Sequence, residues 1–177
     1  MHIKHLLTGI SVVVLALTSL AQQDKSKRPS PPGTAEVAFS GKKVTIEYSR
    51  PSLRGRKAVG GELVPYGKVW RTGANEATSL TTEIDLNIGG ASVPAGKYTI
   101  YTLPTENGWK LIINKQTGQW GTIYDEKQDL VRIDMKTTQL AAPVEQFTIL
   151  LEQKNPAVAQ LSLEWENTQV SVPVRAW

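Results

Sequence analysis

Apolar and polar residues alternate with a period of two along much of the chain, which is the pattern of β-strands that bury one face. Val44, Ile46 and Tyr48 alternate with Thr45 and Glu47. The clearest alternation runs through residues 80–88, where every even position holds Leu, Ile or Thr and every odd position is polar. We predict one strand for each segment.

Further strands follow at short intervals, and glycine or proline residues separate many of them. The predicted strands cover residues 98–103, 109–114, 130–135 and 147–151. Near the end of the chain, two more alternating segments flank Glu166, Asn167 and Thr168. We predict that these three residues form a turn and that residues 161–165 and 170–174 form a hairpin around it.

The spacing of the turns predicts the fold class. No segment after residue 22 has an apolar stripe of helical period over three turns. Short strands separated by turns every 8 to 12 residues or so are typical of sandwiches. We therefore expect an all-β fold, a single antiparallel β-sandwich of jelly-roll type with about eight to ten strands.

The N-terminal residues have the pattern of a cleaved signal peptide. Lys4 precedes an apolar stretch at residues 6–20, and Ser19 and Ala21 satisfy the small-residue rule for signal peptidase. We expect cleavage after Ala21, so residues 1–21 are the predicted signal peptide. Gln22 at the first mature position excludes a lipid-anchored cysteine there. The mature protein is expected to be exported, periplasmic or secreted, without stable insertion in the membrane.

The remaining residues divide into a leader and one domain. Residues 22–33 are rich in Lys, Ser and Pro, and we predict a flexible Pro-rich leader. Residues 34–177 are the predicted β-sandwich domain. A chain of this size buries enough surface to fold without disulfides, which agrees with the absence of cysteine.

Composition excludes several classes of function. The formal net charge of +4 is too small to indicate a nucleic-acid partner. The only histidines are His2 and His5, within the predicted signal peptide, and there is no cysteine. The mature chain therefore has no Ser-His-Asp triad, no Cys-His pair and no ordinary zinc site. We expect no cofactor, and the residues favour a protein that is not an enzyme.

Residues 70–78 contain the densest group of candidate binding side chains. Trp70, Arg71, Asn75 and Glu76 surround Gly73 within this segment. A compact loop at this spacing allows the guanidinium of Arg71 to meet the carboxylate of Glu76. The two residues then belong either to a ligand site or to a structural ion pair that pins the loop.

Two neighbouring regions add candidates for the same site. Arg50, Arg54 and Arg56 lie in the basic segment 49–57, whose charge suits an anionic partner such as a carboxylate, phosphate or sulfate. A basic surface loop without a ligand is the alternative. Three aromatic residues, Tyr66, Trp120 and Tyr124, complete the set. Trp120 and Tyr124 either stack on a ligand or pack over the end of a sheet, and packing is the more common use.

Several short motifs resemble a known family. They read YSRP at 48–51, LRGR at 53–56, PYG at 65–67, WRTGANEAT at 70–78 and PAGKY at 94–98. Residues 109–115, 120–121, 124–125, 129–132 and 163–165 extend the match. Together these segments resemble the exported bacterial family catalogued as domain of unknown function 2911. The resemblance implies one exported domain and no activity or catalytic residue.

Three hypotheses about function follow. The first is a protein that binds an anionic or carbohydrate ligand, either small or polymeric, through the ten candidate residues above. The second is a carboxylate-dependent enzyme that cleaves glycans, with Glu76 and Asp125 as the candidate pair. The third is a purely structural polar clamp at residues 70–78. Residues 125–129 lack the spacing and glycine of a calcium loop, so no metal site is expected. The pattern does not predict an oligomeric state.

Overall fold

The computed structural model describes residues 24–177, and the predicted signal peptide lies outside these residues. Nine antiparallel strands form one sheet in the order β1-β2-β3-β6-β7-β8-β9-β4-β5. They are β1 (Pro32–Phe39), β2 (Lys42–Ser49), β3 (Thr78–Thr82), β4 (Leu86–Ile88), β5 (Ala91–Val93), β6 (Gly96–Thr105), β7 (Gly108–Asn114), β8 (Asp129–Asn155) and β9 (Val158–Ala176). The predicted all-β antiparallel fold of eight to ten strands is confirmed.

Helical structure is confined to two short 3-10 segments among the described residues, Lys25–Lys27 and Glu126–Gln128. Within residues 24–177, no helix has the length and apolarity that crossing a membrane requires.

The long strand β8 divides the sheet into two layers. Its first seven residues pair with β7, in the layer that also contains β1, β2, β3 and β6. From Lys136 onward it pairs with β9, in the layer completed by β4 and β5. The alternating apolar side chains of both layers point into one shared core. The hydroxyl of Tyr48 in β2 accepts a hydrogen bond from the backbone N–H of Ile149 in β8, at 2.8 Å, across this core.

The prediction of a single strand through residues 80–88 is wrong. The chain leaves the first layer after Thr82 and begins β4 in the second layer at Leu86. The hydroxyl of Thr82 bonds the carbonyl of Ile84 at 2.5 Å, which closes a tight local turn. Leu80 and Leu86 are both buried in the shared core. The alternation therefore continues across the break, and it cannot reveal that the partner strands change.

The predicted C-terminal hairpin at residues 166–168 is also wrong, because β9 runs through this region without reversing. Glu166 instead forms an irregularity in the pairing with β8: it has a φ of +52° and lies opposite Val144. Its carboxylate accepts a hydrogen bond of 2.7 Å from the backbone N–H of Val59. The residues that suggested a turn mark a bulge, which bends a strand but does not end it. Similarly, the predicted strands 130–135 and 147–151 are parts of β8.

An aromatic group fills the centre of the core. The indole of Trp70 stacks on that of Trp165, with ring centroids 5.7 Å apart. The ring of Phe147 meets Trp70 edge-on at 4.9 Å, and Trp109 does so at 6.4 Å. Such pairs contribute about 0.5–1.5 kcal/mol each beyond the burial of their surface. They join the loop that follows β2 to strands of both layers.

Residues 24–31, which we call the N-terminal strap, lie against the loop between β2 and β3. The guanidinium of Arg28 contacts both carboxylate oxygens of Glu76 at 2.9 Å, and the amine of Lys25 lies 3.2 Å from one of them. The backbone N–H of Arg50 donates to the carbonyl of Pro31 at 2.8 Å. Strand β1 then begins at Pro32, two residues before the predicted start of the domain at residue 34.

The turn between β4 and β5 provides a test of the packing between layers. A Cβ atom on Gly89 would lie 2.5 Å from Ile133 and 2.7 Å from Val172, at a φ of +57°. We expect Gly89→Ala to lower the free energy of unfolding by about 2–4 kcal/mol through overpacking and backbone strain. Gly90→Ala is the matched control, because that glycine also has a positive φ but has open space around it. Denaturant unfolding of both variants checks this, and equal losses would contradict the packing argument.

The contact between the strap and Glu76 predicts a pH dependence. Hydrogen bonding from Arg28 lowers the pKa of Glu76 from 4.5 to about 2. Because the folded pKa is the lower one, the contribution to stability is present above about pH 4.5 and is lost as the pH falls toward 2. We expect Glu76→Gln to cost about 0.5–1 kcal/mol at pH 7, a small effect because the carboxylate is 41% exposed.

Unfolding of the wild type and the Glu76→Gln variant at pH 7 and at pH 2.5 measures this difference. The gap between the two proteins should shrink at the lower pH. Glu106→Gln, in the turn between β6 and β7, is the control, since its carboxylate makes no hydrogen bond or ion pair with residues 24–177. A gap that stays constant with pH would show that Glu76 acts through packing and not through its charge.

Candidate functional site

A cavity of about 430 Å³ lies between the loop that joins β2 and β3 and the loop that joins β7 and β8, beside Tyr101 of β6 and Trp165 of β9. The first loop contributes Trp70, Arg71 and Gly73 to its lining, and the second contributes Gly121 and Tyr124. The cavity therefore lies between two long connections, and binding residues are often carried by loops that a rigid sheet holds in place.

Hydrogen bonds to β6 hold the first loop in place. The backbone groups of Trp70 and Thr102 exchange two hydrogen bonds, of 2.8 and 3.0 Å. The hydroxyls of Thr72 and Thr102 lie 3.1 Å apart. The hydroxyl of Thr78 donates to the carbonyl of Thr72 at 2.8 Å, which closes the loop on itself. Arg71 is thus flanked on both sides by residues anchored to the sheet.

The same loop contains a group of strained backbone conformations. Thr72 has a φ of +52° and is fully buried, and Asn75 has a φ of +58°. Gly73, between them, has a φ of +154°, and a Cβ there would lie 2.9 Å from the hydroxyl of Thr78. A β-branched residue at positive φ is rare, and such strain is found most often near functional sites.

Arg71 combines partial burial with the lack of any polar partner among the described residues. Its side chain is partly buried, and its guanidinium makes no hydrogen bond or ion pair with any residue from 24 to 177. Burial lowers the pKa of Arg71. Gly121 makes the position possible, because a Cβ there would lie 2.8 Å from the Cδ of Arg71. The predicted contact between Arg71 and Glu76 is wrong, since Arg28 and Lys25 pair with Glu76 instead.

Every charged side chain that lines the cavity is a cation. Arg56 and Lys68, both exposed to solvent, line it together with Arg71, and its lining contains no aspartate or glutamate. The guanidinium of Arg56 donates to the carbonyls of Leu53 and Ser52, at 3.0 and 3.1 Å. These carbonyls hold the side chain in position and leave its charge unbalanced.

Four aromatic residues belong to the remaining wall, and the polar atoms of three of them, Tyr101, Tyr124 and Trp165, bond elsewhere. The hydroxyl of Tyr101 donates to the carbonyl of Ile123 at 2.6 Å. The hydroxyl of Tyr124 donates to Asp129 at 2.6 Å and accepts from Arg132 at 2.9 Å. Burial, together with the neighbouring carboxylate of Asp129, raises the pKa of Tyr124 to about 12. Both tyrosines therefore remain neutral near pH 7.

Four of the ten residues proposed from the sequence line this cavity: Arg56, Trp70, Arg71 and Tyr124. Three of the others, Arg50, Arg54 and Asn75, donate side-chain hydrogen bonds within the protein. Arg50 donates to the hydroxyl of Thr148 at 2.9 Å, and Asn75 donates to the carbonyl of Ser30 at 3.2 Å. Arg54 is exposed and reaches the carbonyl of Pro29.

The remaining three lie outside the cavity lining. Glu76 pairs with the strap, and Tyr66 and Trp120 are 41% and 47% exposed. Sequence reasoning missed Lys68, Tyr101 and Trp165. Tyr101 and Trp165 lie in alternating strands, where the pattern indicates core positions only. Lys68 lies between the two candidate segments, 49–57 and 70–78, and no motif there marks it as a binding residue.

The carboxylates considered for glycan cleavage are placed apart from the cavity. Neither Glu76 nor Asp125 belongs to its lining. Asp125 accepts a hydrogen bond of 3.0 Å from the backbone N–H of Lys127 and caps a 3-10 segment. A pKa of about 2 keeps Glu76 ionised, which suits a structural anion and not a general acid. Among residues 24–177, no group of three or more potential metal ligands lies together.

Comparison with known proteins gives one relationship. No curated protein and no solved structure matches the chain. A family model described as protein of unknown function (DUF2911) matches residues 30–174. The match covers β1 to β8 and nearly all of β9, and it includes every residue of the cavity discussed above. The chain therefore belongs to the DUF2911 family of proteins of unknown function.

Proposed function

We propose that this protein binds a small anionic ligand in the cavity and that Arg71 holds the anionic group. The observation that carries the proposal is the partly buried guanidinium of Arg71, which has no partner among the described residues, in a cavity without carboxylates. The loop that presents it is anchored to β6 and strained at Thr72 and Asn75.

The energetics of burial support an anion as the missing partner. A charge removed from water without a counter-ion costs free energy, and proteins ordinarily pair such groups. Arginine offers a planar fork of donors that matches the oxygens of a carboxylate, phosphate or sulfate. A ligand anion on Arg71 satisfies these donors and relieves the uncompensated charge.

The alternatives have less support. A structural clamp needs Arg71 and Glu76 in contact, and Glu76 contacts the strap instead. Glycan cleavage needs two carboxyl groups facing one cleft, one of them a general acid. This cavity has no carboxylate in its lining. A second cavity is lined by Glu47 and Glu76, but Glu76 is paired with Arg28 and Lys25 and stays ionised. We propose further that the protein acts after export, in the periplasm or outside the cell, on a ligand present there.

Replacement of Arg71 gives the direct test. We expect Arg71→Met to leave the ligand-free stability unchanged or to raise it by up to about 1 kcal/mol, because an unpaired charge is removed from a partly buried position. The same variant should lose the stabilisation by anions that the wild type shows. A ligand at 100 times its dissociation constant stabilises by about 2.7 kcal/mol, which a thermal-shift screen of organic carboxylates, phosphates and sulfates detects.

Arg54→Met is the matched control. Arg54 is an exposed arginine of the same loop and lies outside the cavity, so this variant should retain the response to anions. If Arg71→Met destabilises the ligand-free protein by several kcal/mol, Arg71 has a structural role and the proposal fails. It also fails if no anion in the panel stabilises the wild type.

A further inference from the structure

The residues that line the cavity indicate which kind of anion binds there, an inference that rests on the proposed function. Three cationic side chains, Arg56, Lys68 and Arg71, line the same space. Lys68 and Arg71 have no ion-pair partner among residues 24–177, and the hydrogen bonds of Arg56 go to neutral carbonyls. Arg56 and Lys68 are exposed, so water solvates them when no ligand is bound. Because they line the same cavity as the partly buried Arg71, a group with two negative charges is attracted more strongly than a group with one.

The walls indicate the character of the rest of the ligand. Three aromatic residues of the lining use their polar atoms in hydrogen bonds within the protein. The hydroxyls of Tyr101 and Tyr124 bond to Ile123 and Asp129, and the indole N–H of Trp165 bonds to Glu145. Tyr124, which is half-buried, therefore offers ring surface to a ligand, and the buried Tyr101 and Trp165 offer only small areas of carbon. Leu63 and Pro65 add further apolar surface.

Sugars fit this lining poorly. A sugar needs many hydrogen-bonding partners for its hydroxyls, because unpaired polar groups are costly to bury. Besides the three cations, the side-chain polar groups of the lining that make no hydrogen bond within the described chain are the hydroxyls of Ser30 and Thr122 and the indole N–H of Trp70. The aromatic walls instead favour a flat ring, packed edge-on or offset-stacked.

We propose that the ligand is a small planar, largely apolar molecule carrying a doubly charged oxyanion group, with an aryl phosphate as its simplest representative. The cavity of about 430 Å³ is within the range of small-molecule sites. The oxyanion lies on Arg71 and Lys68, and the ring packs against the tyrosine and tryptophan walls. The ligand binds non-covalently and is not altered by binding.

Calorimetric titration of the purified protein with five probes tests it. The probes are phenyl phosphate, benzoate, inorganic phosphate, glucose 6-phosphate and glucose. Phenyl phosphate should bind about ten times more tightly than each of the other four. Arg71→Met should abolish its binding. Lys68→Met should weaken it severalfold and change benzoate binding less than twofold, and Arg54→Met should leave both unchanged.

The pH dependence isolates the second charge. A phosphate monoester loses its second proton with a pKa of about 6, so it carries two negative charges at pH 8 and mostly one at pH 5. Benzoate keeps a single negative charge from pH 5 to 8. No histidine, aspartate or glutamate lines the cavity, so the change in charge belongs to the ligand. Phenyl phosphate should bind about tenfold more weakly at pH 5 than at pH 8, and benzoate should not change.

The outcomes separate this inference from the proposed function. If benzoate binds as tightly as phenyl phosphate, or if the affinity of phenyl phosphate is the same at pH 5 and 8, the doubly charged group is wrong. If inorganic phosphate or glucose 6-phosphate binds equally well, the planar apolar body is wrong. In these cases anion binding through Arg71 still stands. If no anion binds, or if Arg71→Met binds like the wild type, the proposed function itself fails.

Discussion

The stacking of Trp70 on Trp165 is the contact on which the rest of the molecule depends. Trp165 belongs to β9 in the second layer, and Trp70 follows a long excursion of the chain after β2 in the first. The backbone of Trp70 also pairs with Thr102 of β6. One residue is thereby attached to both layers, and the excursion cannot shift relative to the sheet. The next residue in the chain is Arg71, whose position is set by this anchor.

The sequence predicted which residues would be in strands far better than it predicted which strands would pair. Alternation reports that one face of a segment is buried, and Leu80 and Leu86 satisfy that rule although their strands belong to different layers. Residues 166–168 show the same limit, because polar turn-forming residues also occur in a bulge. The fold class was predictable because it depends on local periodicity. The topology depends on partners distant in the sequence.

The candidate site shows this limit more clearly. The density of functional groups singled out residues 70–78 as a candidate site, and Trp70 and Arg71 of this segment line the cavity. The ion pair assigned to it was wrong because Glu76 found its partner 48 residues earlier, at Arg28. That arginine lay in a segment predicted to be a flexible leader. Because Glu76 pairs with the strap, its carboxylate does not line the cavity beside Arg71. One long-range contact therefore affects the net charge of the cavity lining.

The 27 residues of β8 give the two layers a common backbone. In a sandwich whose layers are joined only by loops, one layer can open while the other keeps its hydrogen bonds. Here the same strand carries the ladder to β7 and the ladder to β9, so fraying at the junction removes support from both. A shared strand thus couples the opening of one layer to that of the other, so we expect amide protons on either side of Met135 to exchange with solvent through the same global opening.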